Sequence, residues 1–132
     1  MLVVDASALV ELLLGLPRAE AVAAELRSAG PGLHAPDLLD LEIVSALRRR
    51  EAAGLVTGAR CEEGLEDLDD LSLARHSSRV LARRAWRLRD NFTPYDGVYV
   101  ALAEALDCPL LTTDKPLGRA IQTHTSVRAQ TL

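Results

Sequence analysis

Met1-Leu2-Val3-Val4-Asp5-Ala6-Ser7-Ala8-Leu9 decides how this chain folds. Its apolar opening, with two adjacent β-branched residues, reads as a short buried strand. Asp5-Ala6-Ser7 is a helix-start signal, and Leu9, Leu12 and Leu13 continue it at helical spacing. Pro109-Leu-Leu-Thr-Thr-Asp114 repeats the pattern of an apolar strand that stops at a carboxylate. Two strands ending in the same way place Asp5 and Asp114 at one rim of a sheet, if the strands are parallel.

The segments between these two support a parallel sheet. Pro17 suits the first position of a second helix with Ala21, Val22, Ala24 and Leu26 on its apolar stripe, ended by Gly30-Pro31-Gly32. Leu33 to Ala35 is a second short strand. Asp37 and Asp40 open a third helix with Leu39, Ile43, Ala46 and Leu47 on one face, and Arg48 to Arg50 suit the negative end of its dipole. Gly54 closes it. A fourth helix is expected from Thr57 to about Asp70, a strand over Leu71 to Arg75, and a fifth helix from Ser78 to Asp90. Thr93-Pro94 is a cap followed by a first-turn proline, so Tyr95 to Leu106 is a sixth helix. Short strands alternating with helices define an α/β domain with a mostly parallel sheet covered on both faces, whose ligands bind beyond the carboxyl ends of the strands.

At 132 residues the expectation is a single domain over 1–132, and 48% apolar with 26% charged residues is an ordinary globular composition. Aromatic residues make up only 3%, too few to stack several bases on rings. A net charge of -4 also argues against holding nucleic acid by bulk positive charge, so any such role must be local. Cys61 and Cys108 have no paired spacing, the first basic residue is Arg18, and no apolar run approaches the roughly 20 residues of a membrane span. The expectation is a cytoplasmic protein with no membrane association.

Four carboxylates stand out from ordinary surface charge. Asp5 and Asp114 end strands, although an Asp there also serves simply to cap the next helix. Glu42 borders the apolar stripe of its helix, beside Leu38, Leu39 and Ala46. Asp96 sits in the first turn after Thr93-Pro94, where the helix dipole favours a carboxylate whatever its role. Gathering such groups costs mutual repulsion that protonation or a cation relieves. A hard divalent ion, Mg²⁺ or Mn²⁺, is the natural counterpart, and phosphoryl chemistry is within its reach.

Val3-Val4-Asp5-Ala-Ser7, Pro36-Asp-Leu-Leu-Asp-Leu-Glu42 with Leu47-Arg48-Arg49, Thr93-Pro94-Tyr95-Asp96 and Leu110-Leu-Thr-Thr113-Asp114 together resemble the PIN-domain family, in its branch of VapC-type toxins from bacterial toxin–antitoxin pairs. The resemblance implies a three-layer α/β/α fold and Mg²⁺- or Mn²⁺-dependent endoribonuclease activity that leaves 5′-phosphate and 3′-hydroxyl ends. A homodimer and a cognate VapB-type antitoxin are implied as partners besides RNA. Carried over by position, the catalytic and metal-site acids are Asp5, Glu42, Asp96 and Asp114. Ser7 matches a supporting hydroxyl, and Thr112 or Thr113 matches the hydroxyl before the last acid. Where many relatives have a further acid, this chain has Lys115-Pro116-Leu117-Gly118, which points to one tightly held ion with a second arriving on RNA.

The remaining charges form two opposed runs. Glu62 to Asp70 holds six acids and no base, Arg75 to Arg89 six arginines and no acid, so they cancel and the residual -4 equals the four candidate ligands. Arg79, Arg83 and Arg87 make one helical stripe that either guides RNA phosphates or is a solvated face paired with the acidic run. His34, His76 and His124 lack ligand spacing and read as structural. Trp86 reads as core or dimer contact, and Leu12, Leu13, Leu16, Val22 and Leu26 as either core or an antitoxin groove.

Three other functions fit parts of the pattern. An aspartate-dependent phosphatase would use Asp5 as nucleophile, but Ser7 stands where a second Asp is wanted. A phosphoacceptor receiver would need paired acids after the first strand. A catalytically weak PIN-like RNA-binding or regulatory module would not need all four acids.

Overall fold

A computed structural model describes all residues, 1–132. Its strands are β1 (Leu2–Val4), β2 (Leu33–Pro36), β3 (Ala74–His76), β4 (Leu110–Thr112) and β5 (Ala129–Thr131). The helices are α1 (Ala6–Leu13), α2 (Ala19–Ala29), α3 (Leu39–Ala52), α4 (Gly58–Asp70), α5 (Ser78–Arg87), α6 (Pro94–Leu106) and α7 (Lys115–His124). All strand pairs are parallel, in the order β3-β2-β1-β4-β5.

The central position of β1 follows from its sequence. Leu2, Val3 and Val4 are all buried, as befits a strand covered on both faces, where alternation of apolar and polar residues gives way to a continuous apolar run. Val3 pairs with His34 on one side and Leu110 on the other. Helices α1 to α4 pack among themselves, while α6 lies against β1, β2 and β4, with α5 on α6 and α7 on β4 and β5. The result is the three-layer α/β/α arrangement the sequence predicts. From β1 the chain moves outward to β2 and β3, then returns across the sheet to β4. That reversal opens a crevice between the carboxyl ends of β1 and β4, the place where open α/β sheets bind ligands.

Several boundaries differ from the sequence reading. Pro17 lies in the turn before α2, which begins at Ala19 behind Arg18. The third strand is Ala74–His76 instead of Leu71–Arg75, because Leu71 and Leu73 pack against the core while His76 pairs opposite Pro36. Leu13, Val22 and Leu26 are buried core residues, so of the two readings of the apolar residues on α1 and α2, core packing holds for these three. The exposed apolar side chains are instead Leu41, Val44 and Leu55 around α3, Val80 and Trp86 on α5, Tyr95 and Met1. Trp86 is therefore not core. No helix is long and apolar enough to cross a membrane.

Candidate active site

Asp5 follows β1 directly, and its backbone N–H donates to the carbonyl of Leu111, extending the β1–β4 ladder to the rim. Although Asp5 is the N-cap of α1, its carboxylate makes no capping bond. Its Oδ2 instead accepts two hydroxyls, Ser7 Oγ at 2.6 Å and Thr112 Oγ1 at 2.7 Å. Each hydroxyl is aimed by a backbone amide: Thr113 N–H donates to Ser7 Oγ and Asp114 N–H to Thr112 Oγ1, both at 3.0 Å. With their acceptor sides occupied, both hydroxyls direct their hydrogens at Asp5. Oδ1 is left without a side-chain donor. Of the two hydroxyls the sequence left open, Thr112 supports Asp5, whereas Thr113 contributes its backbone amide.

Glu42 reaches the same crevice from α3. Tyr99, fully buried on α6, donates its O–H to Glu42 Oε1 at 2.8 Å, tying together helices from the two faces of the sheet. Asp96 enters at the start of α6, where Thr93 Oγ1 accepts the Asp96 backbone N–H at 3.1 Å as the Thr-Pro motif predicts. Asp114 both caps α7, accepting Leu117 N–H at 3.0 Å, and lines the crevice, so its bland reading and its functional one hold together.

All four carboxylates line one cleft of about 890 Å³. None of them has an ion-pair partner, the five pairs in the structure lying elsewhere. The electrostatic consequence has one direction for Asp5, Asp96 and Glu42. Burial pushes the Asp5 carboxyl up against the pull of Ser7 and Thr112, with Asp114 adding to the rise. Burial likewise raises Asp96, reinforced by Asp5 and Asp114. Glu42 is pushed up to about 7, by burial first and then by Asp5 and Asp96, against the Tyr99 hydrogen bond. These three groups would hold their protons more tightly than in water unless a positive charge replaced them. A set of unpaired carboxylate oxygens is the donor chemistry of a hard divalent cation. No three of them converge on a single point as a ready-made cage, so the fit is to a cation that keeps water between itself and some of these oxygens.

Arg49 and Arg50 share the cleft wall. The sequence reading placed them at a helix end and quoted Arg49 in the family pattern, without giving either a role in the site. Their spacing of seven and eight residues from Glu42 puts them about two turns along the helix, with Arg49 on the Glu42 side, and was the signal available. Arg79, Arg83 and Arg87 do not line the cleft; all three are exposed on α5. Nor do they pair with the acidic run of α4. The ion pairs nearest to that expectation are Arg75 with Asp40 and Arg84 with Glu104, at 2.7 and 2.6 Å.

An open parallel α/β sheet with unpaired acids at its β1–β4 crevice defines the class. The PIN domain family matches residues 2–120, and the chain belongs to that family. It is 44% identical over 119 residues to Ribonuclease VapC3 of Mycobacterium tuberculosis, an alignment covering 89% of this chain and 85% of the relative. To Ribonuclease VapC12 of the same organism it is 40% identical over 124 residues, covering 94% and 92%. Among solved structures, Mycobacterium tuberculosis VapC20, described as a toxin that cleaves the sarcin–ricin loop, superposes with a TM-score of 0.72 at 15% identity, covering 91% of this chain and 95% of that one. PAE2754 from Pyrobaculum aerophilum superposes with a TM-score of 0.69 at 24% identity, covering 97% and 81%. At those identities the superpositions speak for the fold.

Proposed function

We propose that this chain is a divalent-metal-dependent endoribonuclease acting in the cytoplasm as the toxin of a VapB–VapC pair. The observation that carries the reading is the buried Asp5, fixed by two aimed hydroxyls and faced by three further acids without a basic partner. Similarity to proteins named ribonucleases at 40–44% identity over most of the chain supports the choice of RNA. Asp5, Asp96, Asp114 and Glu42 would hold Mg²⁺ or Mn²⁺, directly or through water. When bound, such an ion supplies the charge that activates water for in-line attack on a phosphodiester and steadies the leaving 3′ oxygen, giving 5′-phosphate and 3′-hydroxyl ends.

The chain's own residues do the positioning. Ser7 and Thr112 lock one oxygen of Asp5 and leave the other for the ligand, a supporting role of the kind that orients metal-site carboxylates. Tyr99 fixes the rotamer of Glu42 from the opposite helical layer. Arg49 and Arg50 give the cleft cationic contacts for the phosphates flanking the scissile bond. Exposed Leu41, Val44 and Leu55 offer apolar surface to a second copy or to the antitoxin. A weakly catalytic RNA-binding module is the second reading, favoured by the absence of a ready-made cage.

Incubating total RNA with the protein in Mg²⁺, in Mn²⁺ and in EDTA separates the two. New fragments that a 5′-phosphate-dependent exonuclease degrades, formed only with a divalent ion, support the nuclease. Binding with no fragments at stoichiometric protein supports the module.

A further inference from the structure

Outside the cleft, α5 presents a basic face. At 100° per residue, Arg79, Arg83, Trp86 and Arg87 fall within an arc of about 100°, opposite Leu81, Ala85 and Leu88, which are buried. Trp86 is 66% exposed, a costly setting for the largest apolar side chain unless something covers it. The Arg89 guanidinium lies 4.4 Å from the centre of its ring, and Arg89 Nη1 donates to the Trp86 carbonyl at 3.1 Å, which anchors the guanidinium there. One ring face is thus occupied by a cation. Arg79, Arg83 and Arg87 enter none of the ion pairs, whereas Arg84, about 60° beyond the arc, pairs with Glu104. No acid lies on α5 itself.

We propose that this face is a binding site for single-stranded RNA outside the catalytic cleft, with Trp86 as the platform for one base and Arg79, Arg83 and Arg87 as contacts for the neighbouring phosphates. Three unpaired guanidiniums beside one exposed indole match a polyanion that also carries flat rings. An acidic peptide would satisfy the arginines and leave the indole uncovered. The site rests on the ribonuclease reading for its role, which is to hold the strand that runs on from the cleft. Its position suits that role: a methyl on Gly97 would lie 3.3 Å from the Ala85 Cα. The Cα atoms of Trp86 and Asp96, each one residue from that contact, are therefore no more than about 12 Å apart. The low aromatic content sets the scale of the site: one stacking platform, where a groove of several would need rings this chain does not have.

Trp86 is the sole tryptophan, so its fluorescence reports the site directly. The experiment titrates the Asp96→Asn protein with an unstructured oligoribonucleotide, following indole emission together with anisotropy of a label on the RNA. Expected are quenching that tracks the anisotropy change and a log–log salt slope of about -2 or steeper, three phosphates on a single strand accounting for about -2 and any contacts with Arg49 and Arg50 in the cleft adding to it. Trp86→Ala should weaken binding about five- to a hundredfold, Trp86→Phe should restore it, and Arg83→Glu should flatten the slope by about 0.7 or more. Polyglutamate should leave the emission unchanged. Binding without quenching, or equal quenching by polyglutamate, would overturn the proposal, the latter in favour of an acidic protein partner. Cleavage by the wild-type protein without quenching in the variant removes this site and leaves the nuclease standing. Quenching in a protein that cleaves no RNA with any divalent ion upholds this site and removes the nuclease.

Discussion

Replacing Glu42 by Gln should make the metal-free protein more stable at pH 8 while removing a group its activity needs. Gln keeps a carbonyl oxygen where Glu42 Oε1 accepts the Tyr99 hydroxyl, and it removes a charge that burial, Asp5 and Asp96 all disfavour. The direction follows from linkage. The folded-state carboxyl titrates at about 7 against 4.5 in an unperturbed chain. Its contribution to stability is fully present below pH 4.5 and is lost as pH rises through 7, where the folded state must hold an anion in the cleft. Each tenfold change in proton affinity corresponds to about 1.4 kcal/mol, and water reaching the half-buried Glu42 screens part of the sum, leaving roughly 1–2 kcal/mol at pH 8. For a domain of this size that is a rise in Tm of roughly 3–8 °C. Thermal melts followed by circular dichroism at pH 5 and pH 8 in EDTA should show the gain at pH 8 and only about a quarter of it at pH 5. Adding Mg²⁺ should raise the wild type more than the variant, because the ion meets one carboxylate fewer. A variant less stable than wild type at pH 8 in EDTA, or shifted equally at both pH values, would refute the electrostatic reasoning.

Two other substitutions probe the supports of the site. Thr112→Val keeps the shape of a fully buried side chain but removes one donor to Asp5; cleavage should fall about ten- to a hundredfold. Because that hydrogen bond holds the Asp5 carboxyl down, the acid limb of the pH–rate profile should also move to higher pH, and an unmoved limb would mean that Thr112 acts only through packing. Gly118→Ala places a methyl against the Thr131 side chain and should weaken the docking of β5 on α7, at a cost of about 1–3 kcal/mol in urea denaturation. Cleavage by the folded fraction should be unchanged.

The parts of this architecture legible in sequence were those written locally. Thr93-Pro94 announced α6 and the placement of Asp96, and the two strand-ending acids announced the rim. The C-terminal α7 carried a start signal that the reading did not extend into a helix, Asp114 as cap with Pro116 in the first turn, whereas β5 carried none: Ala129–Thr131 is an edge strand with no buried residue, paired only to β4. The displaced third strand shows the same limit. Leu71 and Leu73 look like strand because they are apolar, but their burial comes from packing ahead of the strand. Contacts between distant positions were the least legible. The bond from Tyr99 to Glu42 spans 57 residues and that from Thr112 to Asp5 spans 107, so the motif named the acids without naming all that holds them. The core half of the reading of Trp86 fails because, although its neighbours Ala85 and Leu88 are apolar and buried, the helical angle puts it with the arginines.

Whether these four acids make a metal-dependent ribonuclease site is decided by cleavage under single-turnover conditions with protein in excess. Wild type is compared with Asp96→Asn in Mg²⁺ and in EDTA. Asn retains the backbone N–H that Thr93 caps, so the variant should show the far-ultraviolet spectrum and cooperative melt of the wild type. Cleavage by wild type in Mg²⁺ alone, and none by the variant, is the expected result. Equal cleavage by the folded variant, or wild-type cleavage that persists in EDTA, would contradict the assignment of these acids to a metal site.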